Sequence, residues 1–198
     1  MAEELRNYVS QFTYSPQPED GAPPLERRQF KVADLPIRGA CLGFCDAWAT
    51  PNDAVTVDVP AGTYEVHVEA FSYGTDGRIA RLMAYLPGVT PIRGKAVGEF
   101  GVDVATAAVF DVEVLERFMD SDEAAWEGWI DEYTMREYDE LDRAGLYPCP
   151  GADTAMVYCS TGFGDGSYQV FELVRDGLVV GAEAVFLTPD QGYFEYDD

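Results

Sequence analysis

Residues Ala155 to Leu187 read AMVYCSTGFGDGSYQVFELVRDGLVVGAEAVFL. The stretch holds three strand-like runs and two turn signals. Asp176-Gly177 stands between SYQVFELVR and LVVGAEAVFL. Such a pair between alternating apolar runs signals a hairpin, because both central residues of a type I′ turn need positive φ. The preceding loop, Gly162-Phe163-Gly164-Asp165-Gly166, is too rich in glycine for helix or strand. The stretch therefore reads as the core meander of a mostly antiparallel β domain.

Strand patterns continue toward the N-terminus. TYEVHVEAFSY places Tyr64, Val66, Val68 and Ala70 on one face and Glu65, His67 and Glu69 on the other. RIARLMAYL is apolar on both faces apart from its arginines and suits a central strand. AVTVDV alternates around Val55, Val57 and Val59. RGACLGF is a second run, and if the strand continues through Cys45, Cys41 and Cys45 stand an even step apart on one side of it. RQFKVA is a short strand that Leu35-Pro36 ends. PGVTPIRGKAVG reads as loop, and EFGVDV and TAAVF as short strands. Leu5, Tyr8, Val9 and Phe12 fall at helical spacing, and SPQPEDGAPP then breaks regular structure. Residues 1–28 are thus expected to form a peripheral arm, and 29–198 a single domain.

Between Asp111 and about 144 the pattern turns helical. Asp111 suits an N-cap, with Glu113 in the first turn where the helix dipole favours negative charge. Ser121 is a candidate cap for a second helix. In that helix Trp126, Trp129, Ile130, Tyr133 and Leu141 form an aromatic stripe expected to pack on the sheet. The opposite face is acidic. From Asp111 to Arg143, thirteen carboxylates meet three arginines, a net charge of −10 in about a sixth of the chain. The fold class expected is α+β, a β-sandwich with a helical insertion at 111–144.

Charge bounds the function. Lys and Arg number 13 against 36 Asp and Glu, for a net charge of −23. Nucleic-acid phosphates and anionic membranes both call for a basic surface, so direct binding to either is disfavoured. No segment approaches the ~20 apolar residues of a membrane span, and the N-terminus lacks a signal-peptide pattern. A cytoplasmic location is expected. The four cysteines do not match common zinc spacings. His67 is the sole histidine, so a histidine-rich metal site is excluded.

Several stretches together resemble a bacterial family, the domain of unknown function 4241 family. They are LPIRGACLGFCDAW, VPAGTYEVHVEAF, FGVDVATAAVFD and STGFGDGSYQVFELVRDGLVVGAEAVFL. The resemblance implies a mostly-β domain with a helical segment before the last strands, and it supplies no activity or catalytic residues. Where similar proteins tend to carry a glycine-threonine-glycine turn, this chain has Ala105-Thr106-Ala107. Two methyl groups there would obstruct any ligand needing close backbone approach.

Two functional expectations follow. The first is a non-catalytic acidic protein that recognises a basic protein partner, as an inhibitor or toxin-immunity protein would. Its contact residues are Glu116, Asp120, Glu123, Glu127, Asp131, Glu132, Glu137, Asp139 and Glu140, and it needs no cofactor. The second is a small-ligand or metal-dependent enzyme. A two-residue turn at Asp176-Gly177 sets Glu172 opposite Gly181 and Glu183 opposite Val170, so the two carboxylates are diagonal neighbours. With Asp165 they would offer oxygen ligands to Ca²⁺ or Mg²⁺. An acidic mimic of nucleic acid that occupies a basic groove is a third reading. Oligomeric state is left open by the sequence.

Overall fold

The computed structural model describes residues 2–9, 26–73, 76–137, 143–150 and 154–189. In chain order it contains α1 (Ala2–Tyr8), β1 (Glu26–Ile37), β2 (Cys41–Asp46), a 3-10 turn (Pro51–Asp53), β3 (Val55–Asp58), β4 (Gly62–Tyr73), β5 (Asp76–Tyr85), β6 (Ile92–Val102), β7 (Thr106–Asp111), α2 (Val112–Ser121), α3 (Glu123–Glu137), β8 (Ala144–Pro148), β9 (Ala155–Ser160), β10 (Gly166–Arg175) and β11 (Leu178–Val185). The strands form two antiparallel sheets. The larger runs β1-β4-β5-β11-β10-β6 and the smaller β3-β2-β7-β9-β8.

Side-chain alternation divides the interior into two cores. Along β7, Ala107 and Val109 join the core between the sheets, while Ala108 and Phe110 join a second core under the helices. Along β9, Val157 and Cys159 face the first core, and Met156 and Tyr158 the second. Both strands are buried on both faces, which is why TAAVF and AMVYC read as unbroken apolar runs. The larger sheet contributes Tyr64, Val66, Val68, Leu82, Val170 and Ala184 to the first core. The result is three layers: the larger sheet, the smaller sheet, then α2 and α3. No helix among the described residues is long and apolar enough to cross a membrane.

The α+β sandwich with a helical insertion is what the pattern predicted, and several details hold. Asp176 and Gly177 take φ of 51° and 81°, as a type I′ turn requires. The Asp111 carboxylate caps α2, its Oδ1 accepting from Val114 N at 3.3 Å. Cys41 and Cys45 both contribute to the core under the helices.

Other details differ for identifiable reasons. The final three strands are not one meander: β9 belongs to the smaller sheet and the β10–β11 hairpin to the larger. β1 begins at Glu26 and passes through Leu35-Pro36, which an edge strand tolerates because one side of it needs no ladder hydrogen bonds. IRGKAVG is not loop but the first part of β6, paired with β10. Its glycines disguise the strand while serving it: a Cβ on Gly94 would crowd Glu172, and one on Gly98 would crowd Val55. The second helix is capped by Asp122, whose Oδ1 accepts from Ala125 N at 3.1 Å, rather than by Ser121. β8 was not expected as a strand.

The N-terminal segment is not peripheral at α1. Leu5 and Val9 are buried in the inter-sheet core, and Tyr8 packs on Phe30 with its hydroxyl donating to the Glu26 carbonyl. Gly77 admits this contact, since a Cβ there would lie 1.8 Å from the Tyr8 carbonyl oxygen.

Candidate functional site

The helical layer forms because one side of α2 and α3 is apolar where it meets the smaller sheet. Leu115, Trp126, Trp129 and Tyr133 are buried with Phe110, Tyr147, Met156 and Tyr158. The rings interlock: Trp129 lies 5.3 Å from Trp126, 5.4 Å from Tyr147 and 6.0 Å from Phe118. Its indole N–H donates to the Pro148 carbonyl at 2.9 Å, which satisfies the polar end of a buried ring.

The outward side of this layer carries the predicted acids. Asp120, Glu123, Glu127, Asp131 and Glu132 are exposed, and Glu116 is half-buried. Glu123, Glu127 and Asp131 follow at i, i+4 and i+8, one row along α3. Glu137 is the last residue of α3. Its side chain, and residues Asp139 and Glu140, lie outside the described residues, as does Leu141.

Charge is segregated between layers. Over residues 112–134, Glu113, Glu116, Asp120, Asp122, Glu123, Glu127, Asp131 and Glu132 stand against Arg117 alone. The six strands of the larger sheet carry eight acidic and eight basic residues. The sandwich thus sets a strongly acidic layer on the far side from a charge-balanced sheet.

The proposed oxygen-ligand trio is not brought together. A bulge at Val180 shifts the hairpin by one residue, so Glu172 pairs with Ala182 and Glu183 with Phe171. The two glutamates occupy adjacent rungs, which point to opposite faces, rather than diagonal positions on one face. Glu172 bonds Lys95 at 3.2 Å. Glu183, only 1% exposed, bonds Arg93 and, at 3.1 Å, Arg81. Arg81 also holds Glu69 at 2.6 Å, and the Arg93 guanidinium lies over the Phe171 ring. Asp165 sits in the loop before β10, its Oδ1 accepting from Ala105 N at 2.9 Å. Among the described residues, no group of three or more His, Cys, Asp or Glu could hold a metal ion. Sequence reasoning missed Arg81 and Arg93 as partners of Glu183, since their meeting depends on a three-strand register.

His67 lies on the outer face of the larger sheet, its ring stacked on Tyr85 at 5.0 Å and Nε2 3.4 Å from a Glu65 oxygen. Burial, opposed by the Glu65 carboxylate, holds its pKa below the ordinary histidine value of 6.5. In the window from 6.5 down to that lowered pKa, the unfolded chain takes up a proton that the folded chain declines. Stability contributed by this residue is therefore complete above pH 6.5 and declines as pH falls through the window. Because it is the sole histidine, its imidazole resonances give the midpoint directly. The expected value is below 6.5, and a midpoint above 6.5 would make Glu65 the dominant influence.

Three of the family-like stretches converge on the turn before β7. Asp46, 8% exposed, accepts from Trp48 N and Asp103 N, each at 2.7 Å. Burial raises its pKa despite these hydrogen bonds. Ala105 gives its N–H to Asp165, and its carbonyl accepts from Thr161 N at 2.9 Å. These acids act as backbone clamps. Ala105 has φ of 56°, the left-handed region where Cβ is crowded, whereas Ala107 is an ordinary buried strand residue. Of the two positions at which the resemblance implies glycine, only Ala105 has a conformation that favours it. Ala105→Gly should relieve about 1–2 kcal/mol of crowding against about 0.4–1 kcal/mol of added unfolded-state freedom. A thermal melt should show Tm rising by about 1–3 °C. An unchanged or lower Tm would mean that the turn is not strained.

Residues 92–177, from β6 to the tip of the β10–β11 hairpin, match the model of a family described as a protein of unknown function, DUF4241. The chain therefore resembles that family across both sheets and the helical layer. No curated protein and no solved structure matches it.

Proposed function

We propose that this chain is a non-catalytic binding protein that captures a basic protein partner through the outward side of α2 and α3. The reading rests on the segregation of charge: among the described residues, eight carboxylates against one arginine in the helical layer, opposite a larger sheet whose charges balance. Like charges at i,i+4, such as Glu123–Glu127–Asp131 and Glu116–Asp120, each cost about 0.2–0.5 kcal/mol on a helix. A surface built only for solubility has no need to stack them in rows, and lysines or arginines of a partner would relieve the repulsion. The aromatic side of the helices holds the acids on a fixed base, which limits the ordering cost of binding. A long-range field of this sign would speed association with a basic protein and make it sensitive to salt. Inhibition of a basic enzyme or neutralisation of a basic toxin are the roles such a surface suits.

Capture from an extract of the native host at low and high salt tests the proposal. A basic protein should be retained at low salt and released at high salt. Recovery of no basic protein at low salt would count against it.

A further inference from the structure

A small cavity lies where the end of α1, the start of β5, the start of β8 and the turn after β9 meet. Val9 and Ile79 give it an apolar wall, Arg78 and Arg143 a charged one, and the turn from Ser160 to Gly162 closes it. Its volume of about 10 Å³ is room for one water-sized group. Two of the chain's 13 basic residues thus meet at one cavity, and among the described residues no carboxylate lines it.

The charged wall is held in place from behind. Arg78 Nε donates to Asp76 at 3.1 Å, and the Arg78 side chain is only 12% exposed. Arg143 is half-buried, and its backbone is tied to the turn at Ser160. Burial and the nearby charge of Arg78 hold the Arg143 pKa below the ordinary arginine value. Two like charges that share a partly desolvated cavity favour an anion there.

The donors narrow the anion. Phosphate cradles are commonly built from backbone N–H groups. Here the N–H groups of Ser160, Thr161 and Gly162 are spent on the carbonyls of Arg143, Ala105 and Ile79, at 2.8, 2.9 and 3.0 Å. Recognition is left to the side chains, and a planar guanidinium matches a planar carboxylate with two parallel hydrogen bonds. The narrow space favours that flat group over tetrahedral phosphate. Apolar surface lies alongside: the Arg78 guanidinium carbon stands 5.3 Å from the centre of the Phe163 ring, and Phe163 is 36% exposed.

We propose that Arg78 and Arg143 bind the carboxylate head group of a small organic acid whose aromatic or apolar body lies on Phe163. Among the described residues none from α2 or α3 lines the cavity, so the inference is independent of the basic-partner reading.

Titration of the full chain with benzoate, acetate, phosphate and benzamide, followed by the amide resonances of residues 160–162, tests it. Benzoate should bind saturably at millimolar concentration or below, about threefold to tenfold tighter than acetate. Phosphate should bind more weakly than benzoate, and benzamide should leave the resonances unmoved. Arg143→Gln should weaken benzoate at least about tenfold. Phe163→Ala should bring benzoate to the level of acetate. Circular dichroism identifies a variant that misfolds, and the wild-type titrations decide the matter alone if one does. Absence of a saturable change with benzoate, an equal response to benzamide, or tighter binding of phosphate would overturn the proposal. Tighter binding of N-acetylphenylalanine than of benzoate would overturn the assignment to a small acid in favour of a polypeptide C-terminus.

Discussion

Trp129→Ala is expected to lower stability by about 3–5 kcal/mol, the cost of emptying a large buried aromatic site. The ring is 3% exposed and touches Phe118, Trp126 and Tyr147. Its loss removes the common neighbour of rings from α2, α3 and β8 and leaves the Pro148 carbonyl without its indole donor. At about 2–4 °C per kcal/mol for a chain of this size, Tm should fall by about 6–20 °C. Dye binding to exposed apolar surface should rise as the helical layer loosens. A fall of only a degree or two would show that the stripe is not what anchors the helices.

Glu183→Gln is the second large effect, at about 2–3 kcal/mol. Breaking a buried ion pair commonly costs about 3–5 kcal/mol, because the remaining charge stays uncompensated. The discount here reflects solvent at Arg81 and Arg93, whose side chains are 28% and 39% exposed. The amide keeps the shape of the carboxylate but turns an N–H toward one of two guanidiniums. Urea unfolding should show a lower midpoint with an unchanged slope. Glu172→Gln is the matched control: its partner Lys95 is 74% exposed, and the expected change is below about 1 kcal/mol. Equal effects at the two positions would contradict the asymmetry in their surroundings.

The contrast between these two glutamates marks where the sequence stops being legible. Alternation in TYEVHVEAFSY identified which side chains of β4 are buried, because burial on a sheet follows a period of two. Asp176-Gly177 located the hairpin because its backbone geometry excludes most other residues. The register beyond that turn was not legible. Val180 bulges by one residue, and that single step moves every later partner by one and separates Glu172 from Glu183. Nothing local in LVVGAEAV announces it. β6 was hidden for a related reason, since glycines that admit Glu172 and Val55 look like loop residues when those neighbours are unknown. The aromatic stripe and its acidic reverse side could be read in advance, because both belong to single helices and depend on no distant pairing. Ala105 is intermediate: the resemblance, which implies glycine there, marks the position, and only its φ of 56° gives the physical reason.

The triple variant Glu123→Gln/Glu127→Gln/Asp131→Asn removes one acidic row from α3 without touching a buried ring. Loss of like charges at i,i+4 should leave Tm unchanged or slightly higher. Affinity for the basic protein retained from the host extract, measured by titration calorimetry at low salt, should fall at least about tenfold. Full affinity in this variant, with its fold intact, would contradict the account.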